Sequence, residues 1–446
     1  MLQVDAGDLL WGRPTVSAKD DAQRRLKAEL ILEATSAMGM DALAVGEGDL
    51  AFGLQWLVQT AKKYDAPYVS ANLRDPDGAL VFPATRVVKK GERTIGLTSV
   101  TLDTIGVAEG RFDAPEPALL DAVASLEKQG VDVVIALVHT NFDDAQRIAK
   151  AVPGVDLMFS GHSRRHQEDP LIFGTTALME AGSRAKYLGE VRIDFREGGT
   201  GWADPGGRER ILRQKEQFER QLRRYEEQMA SATSDSARTR LQRVRDFTKN
   251  KLDEHVVPPE DDGNGNRLRG RRVPLSRDIP DDPAIARMVD GYLQRMGPGA
   301  STASHGNEHV DVSKVERRQE YGDYVTARAC MNCHPAEHKD WMGTGHARAY
   351  ATLVKEKRHY DNDCWSCHVT GAGKDGGPTG PGDVGPLKNV QCEACHGPGK
   401  AHVAKPAKDN IVRAPTEQLC VSCHTEEQTQ GRFVFDEYLP KVDHRP

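Results

Sequence analysis

Cysteine is absent from the chain before position 330, which separates a long cysteine-free region from a cysteine-rich C-terminal one. No apolar run approaches the ~18 to 20 residues that a membrane-spanning helix needs. The net charge is −6, so there is none of the basic excess that favours nucleic-acid binding. A chain of 446 residues with 28% charged and 38% hydrophobic residues is typical of a globular protein with two or three domains.

All eight cysteines form C-x-x-C pairs, and each pair is followed directly by histidine. The four motifs are Cys330-Met331-Asn332-Cys333-His334, Cys364-Trp365-Ser366-Cys367-His368, Cys392-Glu393-Ala394-Cys395-His396 and Cys420-Val421-Ser422-Cys423-His424. Two thiols at this spacing add to the vinyl groups of haem, and the adjacent histidine binds the iron. Paired C-x-x-C motifs also form zinc ribbons, but zinc needs no histidine after every pair, and a two-residue gap suits a structural disulfide poorly. The sequence therefore predicts four covalent c-type haems.

Haem iron that only passes electrons takes a sixth ligand as well as the histidine of the motif. Five further histidines lie in the haem region: His338, His346, His359, His402 and His444. We take His346 and His402 as the first candidates, then His338 and His444, and His359 after them. The alternative for each is a surface histidine or a partner of a haem propionate.

Covalent haem is attached outside the cytoplasm, so we expect a periplasmic or extracellular protein that meets redox partner proteins. The chain begins Met1-Leu2-Gln3-Val4-Asp5, without the charged and apolar segments of an export signal. We therefore expect that a signal sequence and a first strand are missing from this chain.

Residues 1–199 alternate short apolar runs with helical stretches such as Ala22–Met38 and Leu54–Lys63. The apolar runs are Leu2–Val4, Ala42–Val45, Tyr68–Ser70, Thr94–Leu97, Val131–Val138 and Val155–Phe159. Alternation of this kind predicts an α/β domain with a largely parallel sheet.

Polar residues follow four of these runs: Asp8, Glu47, His139 and His162. The carboxyl ends of strands in an open α/β sheet meet at one edge, where sites form. Mixed oxygen and nitrogen ligands suit one divalent metal ion, Mn, Fe or Zn. The alternative is that the acidic residues cap helices and the histidines are ordinary loop residues.

Residues 200–256 are predicted to form an antiparallel helical hairpin, because apolar residues recur at helical spacing on both sides of a break at Ser231–Ser236. We expect this hairpin to serve as a packing arm or an oligomer contact. Residues 257–318 are predicted to be a connector, with a short helix at Pro283–Met296 that completes the first domain and a polar linker at Gly297–Asn307. Residues 319–446 are predicted to be a mostly irregular and α-helical haem domain.

Several segments of the haem domain are typical of one family: Tyr324–Cys333, Trp341, Gly345-His346-Ala347, Cys392–His396 with Gly397-Pro398-Gly399 and His402, and Phe435–His444. Together they resemble the tetrahaem cytochrome c554 family. The resemblance implies packed haem pairs with mostly bis-histidine iron. By order of motifs it also implies an open sixth position on the haem held by Cys364 and Cys367.

The N-terminal motifs are similar to those of the calcineurin-like metallophosphoesterases, in their 5′-nucleotidase branch. They are Asp5-Ala6-Gly7-Asp8-Leu9, Ser70-Ala71-Asn72-Leu73, Gly161-His162-Ser163, Ala181-Gly182-Ser183, Leu188-Gly189, Val273-Pro274-Leu275 and Ile279-Pro280-Asp281-Asp282-Pro283. The resemblance implies the family's metallophosphoesterase fold, with Asp8, Glu47, His139 and His162 at the second of its two metal positions.

Three departures from that family weaken the interpretation of this domain as a hydrolase. The opening Asp-x-His strand is not in the chain. Gly46-Glu47-Gly48-Asp49 replaces Gly-Asn-His-Glu, which removes a histidine that stabilises phosphoryl charge. Gly161-His162-Ser163-Arg164 replaces Gly-His-x-His, which removes a ligand of the first metal, for which His166 is the alternative ligand. A two-metal mechanism needs both ions, so we expect weak or no phosphatase activity.

Three functional hypotheses follow. The favoured one is an electron carrier fused to a degenerate phosphoesterase domain that acts as a scaffold or ligand sensor. The second is a phosphoester or sulfur-ester hydrolase coupled to a redox chain. The third is redox catalysis on a small molecule at a five-coordinate haem.

Overall fold

The computed structural model describes residues 1–18, 20–102, 106, 109–163, 170–183, 185–196, 199, 201–203, 207–231, 235–254, 265–276, 278–296, 321–429 and 432–444. The chain divides into two compact units. The first unit comprises Met1–Thr15 and Ile31–Asp281, and the second comprises Val16–Leu30 and Asp282–Pro446. The predicted linker Gly297–Asn307, Arg164 and His166 lie outside the described residues.

The described strands of the chain belong to the first unit. They are β1 (Val4–Asp5), β2 (Ala42–Leu43), β3 (Leu73–Arg74), β4 (Thr85–Lys90), β5 (Arg93–Thr101), β6 (Arg111–Phe112), β7 (Val133–Thr140), β8 (Leu157–His162), β9 (Leu171–Phe173), β10 (Thr176–Met179), β11 (Tyr187–Asp194), β12 (Trp202–Ala203) and β13 (Asn266–Pro274). Six of them form a sheet in the order β4-β5-β7-β8-β10-β9, in which β5, β7, β8 and β10 run parallel and the edge strands run antiparallel. The largely parallel sheet that the sequence predicts is therefore present.

Smaller sheets accompany it. β1 pairs with β2 in parallel, β3 pairs with β6, and β11, β13 and β12 form a three-stranded sheet. The predicted strand Tyr68–Ser70 reduces to one bridge between Tyr68 and Leu43. Pro67 before it has no N–H for a ladder, and the Ser70 hydroxyl accepts from the backbone of Leu73, which turns the chain.

β7 is buried along its whole length, as expected of a central parallel strand covered on both faces. Val134, Ala136 and Val138 pack into one hydrophobic cluster together with apolar residues of two helices. Ile135 and Leu137, which alternate with them, pack into a second cluster on the opposite face. The alternation of β7 side chains thus fixes the sheet between two cores.

The helices of the first unit match the sequence pattern closely. They are α1 (Asp21–Ala37, whose first half belongs to the second unit), α2 (Leu54–Lys63), α3 (Pro115–Lys128), α4 (Phe142–Ala151), α5 (Gly207–Ser231) and α6 (Asp235–Glu254). α5 and α6 contact each other, as the predicted hairpin requires. Its use as an oligomer contact stays a prediction.

The second unit is built from short helices. They are α7 (Pro283–Arg295), α8 (Thr326–Cys330), α9 (Pro335–Gly343), α10 (Ala349–Lys355), α11 (Trp365–His368), α12 (Cys392–His396), α13 (Lys400–Ala404), α14 (Glu417–Val421), α15 (Glu426–Thr429) and α16 (Phe435–Tyr438), with 3-10 turns at His346–Arg348, Gly385–Leu387 and Leu439–Lys441. Its aliphatic core is small, which agrees with the mostly irregular and α-helical domain that the sequence predicts. Among the described residues, no helix is both long enough and apolar enough to cross a bilayer.

Two segments belong by their contacts with the haem motifs, although the sequence predicts both of them in the first domain. Tyr292 and Met296, at the end of the predicted connector helix, pack with Leu30. The first half of α1 contacts the loop before Cys364, where Gln23 donates to the Tyr360 carbonyl at 2.8 Å. The bounds of the two compact units therefore differ from the predicted domain boundaries, and those boundaries stay predictions.

Arg24 and Asp363 form a bidentate ion pair inside the second unit. The Arg24 side chain is 8% exposed and that of Asp363 38%, and Lys27 approaches the same carboxylate at 3.2 Å. Burial alone would raise the pKa of Asp363, but Arg24 and Lys27 lower it to about 2. The pair therefore contributes fully above about pH 4, and its contribution is lost as the pH falls through about 2.

Replacing Arg24 with alanine should loosen the loop that precedes Cys364. The free energy of unfolding should fall by an amount between the roughly 1 kcal/mol of an exposed ion pair and the roughly 3–5 kcal/mol of a fully buried one, since Asp363 is partly exposed. Hydrogen exchange of the Cys364 amide, which donates to the Asp361 carbonyl, should accelerate accordingly. Arg25→Ala is the matched control, because Arg25 lies on the same helix and pairs with Asp21 at the surface. Equal exchange in the two variants would contradict this role.

Candidate functional site

The four predicted metal ligands lie at the carboxyl ends of strands in the first unit. Asp8 and Glu47 follow β1 and β2, which pair in parallel. His139 lies near the end of β7, and His162 is the last residue of β8. β7 and β8 are neighbours, with Thr140 paired to His162. The sheet topology therefore brings to one edge four residues that are far apart in sequence.

These four side chains form one cluster, in which one ligand atom from each lies within 4.8 Å of the others. His139 Nε2 is 3.0 Å from Glu47 Oε2 and 3.5 Å from Asp8 Oδ2. His162 Nδ1 is 3.0 Å from Glu47 Oε1. Glu47 and His139 are buried, whereas the His162 side chain is 38% exposed. The cluster can thus hold a cation and stays open on the His162 side.

The Ala6 carbonyl determines which nitrogen of His139 faces the cluster. Its Nδ1 lies 2.9 Å from the Ala6 carbonyl, which can only accept, so Nδ1 carries the hydrogen. Nε2 is buried and lies 3.0 Å from Glu47 Oε2, so in the neutral ring it carries the lone pair that a metal ion would bind. A backbone carbonyl that fixes the tautomer in this way is typical of metal-binding histidines.

The charges of the cluster also fit a cation. Burial opposes an ionised Glu47, but the facing imidazoles of His139 and His162 hold the pKa of its carboxyl well below the usual range. Burial likewise opposes a charged His139, yet the Asp8 and Glu47 carboxylates raise the pKa of its imidazole to about 10. Glu47 raises the pKa of His162 as well. The carboxylates therefore demand positive charge, which a divalent ion would supply in place of protons.

Two of the four residues have left-handed backbones, with φ of 59° at Asp8 and 89° at His162. Such conformations are costly for residues other than glycine and are typical of functional sites. Gly48 is equally constrained, because a Cβ there would lie 1.8 Å from the Trp11 carbonyl oxygen and 2.8 Å from Asp8 Oδ1. A side chain at Gly48 would therefore require this loop to move.

Asp49 has a role that the sequence analysis did not assign. It is fully buried, and its carboxylate accepts from the backbone N–H groups of Asp8 at 3.0 Å, Gly46 at 2.8 Å and Leu10 at 2.9 Å. Burial raises its pKa to about 7. Asp49 therefore joins the two ligand loops. Its position in Gly46-Glu47-Gly48-Asp49, two residues after a ligand, was the available signal.

The haem motifs of the second unit lie on helical turns. The Cys333 and His334 amides both donate to the Cys330 carbonyl, and Cys423 and His424 repeat this with Cys420. One helical turn places residues i, i+3 and i+4 on the same side. The C-x-x-C-H spacing thus presents two thiols and an imidazole together, as covalent haem attachment requires.

Three histidines outside the motifs face a motif histidine across a similar gap. The ring centres of His334 and His402 are 6.4 Å apart with planes 24° from parallel. The corresponding separation is 5.9 Å for His424 with His346 and 5.8 Å for His396 with His444. Imidazoles bound on opposite sides of one metal, each with its nitrogen about 2 Å away, have ring centres roughly 6 Å apart. Each pair therefore has the spacing of two ligands to one iron.

The remaining histidines are placed differently. His368 donates from Nδ1 to the Ala349 carbonyl at 2.6 Å, and among the described residues no second imidazole stands opposite it. His338 lies beside Trp341, with ring centres 5.4 Å apart. His359 packs against the ring of Tyr360. The arrangement thus supplies a second imidazole for three of the four motif histidines.

The attachment sulfurs of different motifs approach each other. Cys330 lies beside Cys392, and Cys367 lies beside Cys423. Cys395 lies near Cys420 and Cys423. In motif order, the first therefore adjoins the third, the third adjoins the fourth, and the fourth adjoins the second.

Comparison with known proteins agrees with the interpretation of the second unit as a haem-binding unit. The family model of cytochrome c554 and c-prime matches residues 329–397, and the model of the doubled CXXCH motif matches residues 385–429. The cytochrome c-554 of Nitrosomonas europaea is 36% identical over 153 residues, which cover 26% of this chain and 65% of that protein.

The first unit has different relatives. The snake venom 5′-nucleotidase of Gloydius brevicauda is 28% identical over 36% of this chain, and the 5′-nucleotidase of Bos taurus is 24% identical over 45%. The chain spans 28% and 39% of the length of these two proteins. Among solved structures, the sulfate thiohydrolase SoxB of Thermus thermophilus is similar with a TM-score of 0.45 and 17% identity, covering 66% of this chain and 42% of that one.

The two sets of relatives fall on different parts of the chain. The protein is therefore a multihaem c-type cytochrome with a fused domain that is similar to the 5′-nucleotidases and calcineurin-like phosphoesterases. This confirms the fusion and the α/β fold class that the sequence predicts.

Proposed function

We propose that this protein carries four covalent haems in its second unit and transfers electrons outside the cytoplasm, between redox partner proteins. The observation that carries the proposal is the spacing of His402, His444 and His346 from motif histidines, at the separation of two ligands on one iron. An iron with two histidine ligands has no free position for a substrate and is suited to electron transfer.

The residue roles follow from the motifs and the imidazole pairs. The attachment thiols are Cys330, Cys333, Cys364, Cys367, Cys392, Cys395, Cys420 and Cys423, and the first axial ligands are His334, His368, His396 and His424. We assign His402 to the haem of His334, His444 to that of His396 and His346 to that of His424. The haem of His368 is assigned an open sixth position. His338 is left without an iron.

The contacts between sulfurs support an order of electron passage. The order of attachment sites is Cys364 and Cys367, then Cys420 and Cys423, then Cys392 and Cys395, and finally Cys330 and Cys333. Haems held at these sites would supply one-electron redox chemistry along this order. The haem with the open position lies at one end of this order.

For the first unit, we propose one divalent ion, Mn, Fe or Zn, held by Asp8, Glu47, His139 and His162. Such an ion supplies Lewis acidity and a site for an anionic ligand. Phosphoester hydrolysis is not favoured, because a side chain at Gly48 would require the loop to move, and the described residues bring together one cluster of metal ligands. The domain therefore serves as a scaffold or a ligand sensor.

A coulometric titration of the full-length holoprotein tests the electron-transfer proposal. We expect the chain to take up four electrons reversibly, one for each C-x-x-C-H motif. As the control, the titration uses full-length holoprotein whose first unit is loaded with Zn²⁺ rather than Fe or Mn, since zinc adds no electron to the count. Reversible uptake of fewer than four electrons in fully haem-loaded protein would contradict the proposal.

A further inference from the structure

Glu393 lies between the two attachment cysteines of the third motif, yet its side chain is buried and 3% exposed. Its carboxylate accepts hydrogen bonds from backbone N–H groups only, among the contacts of the described residues. These donors are Val325 at 2.9 and 3.1 Å, Thr326 at 2.8 Å and Gly399 at 2.7 Å. A buried carboxylate is tolerated when both oxygens are satisfied in this way.

The two donors Val325 and Thr326 belong to the segment that precedes the first motif, and they lie 68 and 67 residues before Glu393 in the chain. They lie at the start of α8, where the first N–H groups have no partner within the helix. Thr326 has a φ of 72°, a left-handed conformation that a β-branched residue rarely adopts. The surroundings must hold this conformation, and the carboxylate of Glu393 is the group that binds its amide.

The same contacts reach the attachment sulfurs. The Thr326 carbonyl oxygen lies 3.7 Å from Cys330 Sγ, and Cys330 in turn lies beside Cys392. On the other side of Cys392, the Gln391 amide oxygen accepts from the Ala327 N–H at 2.7 Å. The residues on both sides of Cys392 therefore bind three successive amides that precede Cys330.

We infer that Glu393 is a positioning residue, which as a carboxylate fixes the haem attached at Cys330 against the haem attached at Cys392. This inference rests on the proposed electron-transfer function. The carboxylate joins the polypeptide segments of two haems that adjoin in the proposed order of electron passage. It also places one fixed negative charge beside both attachment edges.

Glutamine is the appropriate substitution, because it keeps the shape and changes only the charge and one acceptor. The carboxylate has two oxygens that face four N–H contacts, whereas a carboxamide turns an NH₂ group toward amide donors. The packing of the two segments should then relax, and the negative charge beside both haems is lost. A lost negative charge favours the reduced iron, so both potentials should rise.

The experiment is a redox titration of the full-length holoprotein carrying Glu393→Gln, followed by absorption and electron paramagnetic resonance. We expect the potentials of the His334 and His396 haems to shift upward and their mutual magnetic interaction to weaken. The haems of His368 and His424 should keep their potentials. Glu356→Gln is the control, since Glu356 is exposed at the end of α10 and should change none of the four.

Glu393→Asp keeps the charge on a shorter side chain. This variant tests the positioning role of Glu393 if the glutamine variant does not fold. We expect the aspartate variant to weaken the magnetic interaction and to raise the two potentials less than glutamine does. Unchanged potentials and spectra in the folded variants, or an equal shift of all four haems, would overturn the inference. A wild-type protein with fewer than four haems would instead overturn the proposed function.

Discussion

His402→Ala should convert one low-spin ferric haem to a high-spin haem, while the haem content of the protein stays the same. His402 faces His334 at 6.4 Å between ring centres, and its Nδ1 donates to Asn410 Oδ1 at 2.9 Å and to the Ala407 carbonyl at 3.0 Å. These contacts aim Nε2 away from the backbone, toward the iron position. Removal of the ring leaves that iron with five ligands, and the covalent attachment through Cys330 and Cys333 remains.

His346→Ala and His444→Ala should each have the same effect on a different haem, because each faces its own motif histidine. The three variants should therefore be additive in a ferric spectrum. His338→Ala is the matched control, since His338 contacts Trp341 and faces no motif histidine among the described residues. An added high-spin signal in the His338 variant, with none in the His402 variant, would reverse the assignment.

Gly48→Ala should remove metal binding from the first unit although it alters no ligand. A Cβ at this position would overlap the Trp11 carbonyl oxygen and approach Asp8 Oδ1, so the loop would have to move. The hydrogen bond from the Gly48 N–H to Asp8 Oδ1, now 2.7 Å, would then be lost. Loss of a supporting contact of this kind lowers metal affinity by about 10- to 100-fold, and displacement of Asp8 itself should lower it further.

Equilibrium dialysis of Mn²⁺ against the full-length protein measures this effect. Gly12→Ala is the control, because no atom lies within 4 Å of a Cβ built at Gly12. We expect the Gly12 variant to bind one ion as the unaltered protein does. If Gly48→Ala bound Mn²⁺ as tightly as Gly12→Ala, the four residues would not form the proposed site.

The local structure could be predicted from the sequence where the hydrophobic periodicity agrees with the residues that begin and end helices. α2 begins at Leu54 and ends at Lys63, as the helical pattern predicts, and α7 begins at Pro283. The metal cluster was also predictable, because polar residues at strand ends converge in any parallel sheet. These features depend on short stretches of chain or on a general property of sheets.

Other features depend on contacts that no local pattern encodes. Which histidine faces which motif follows from the packing of loops without regular structure. The grouping of Arg24 with Asp363 depends on an ion pair between residues 339 positions apart. The buried carboxylates Asp49 and Glu393 appear in the sequence as ordinary acidic residues beside recognised motifs. Their roles depend on backbone amides brought to them by the fold.

The intact mass of the exported, full-length protein under denaturing conditions tests the central claim most directly. Covalent haem stays attached when the chain unfolds, whereas zinc and non-covalent cofactors are released. We expect the 49.0 kDa polypeptide of this chain to carry the added mass of four haems, one for each C-x-x-C-H motif. A mass equal to that of the polypeptide alone, with zinc recovered from the native protein, would contradict the account.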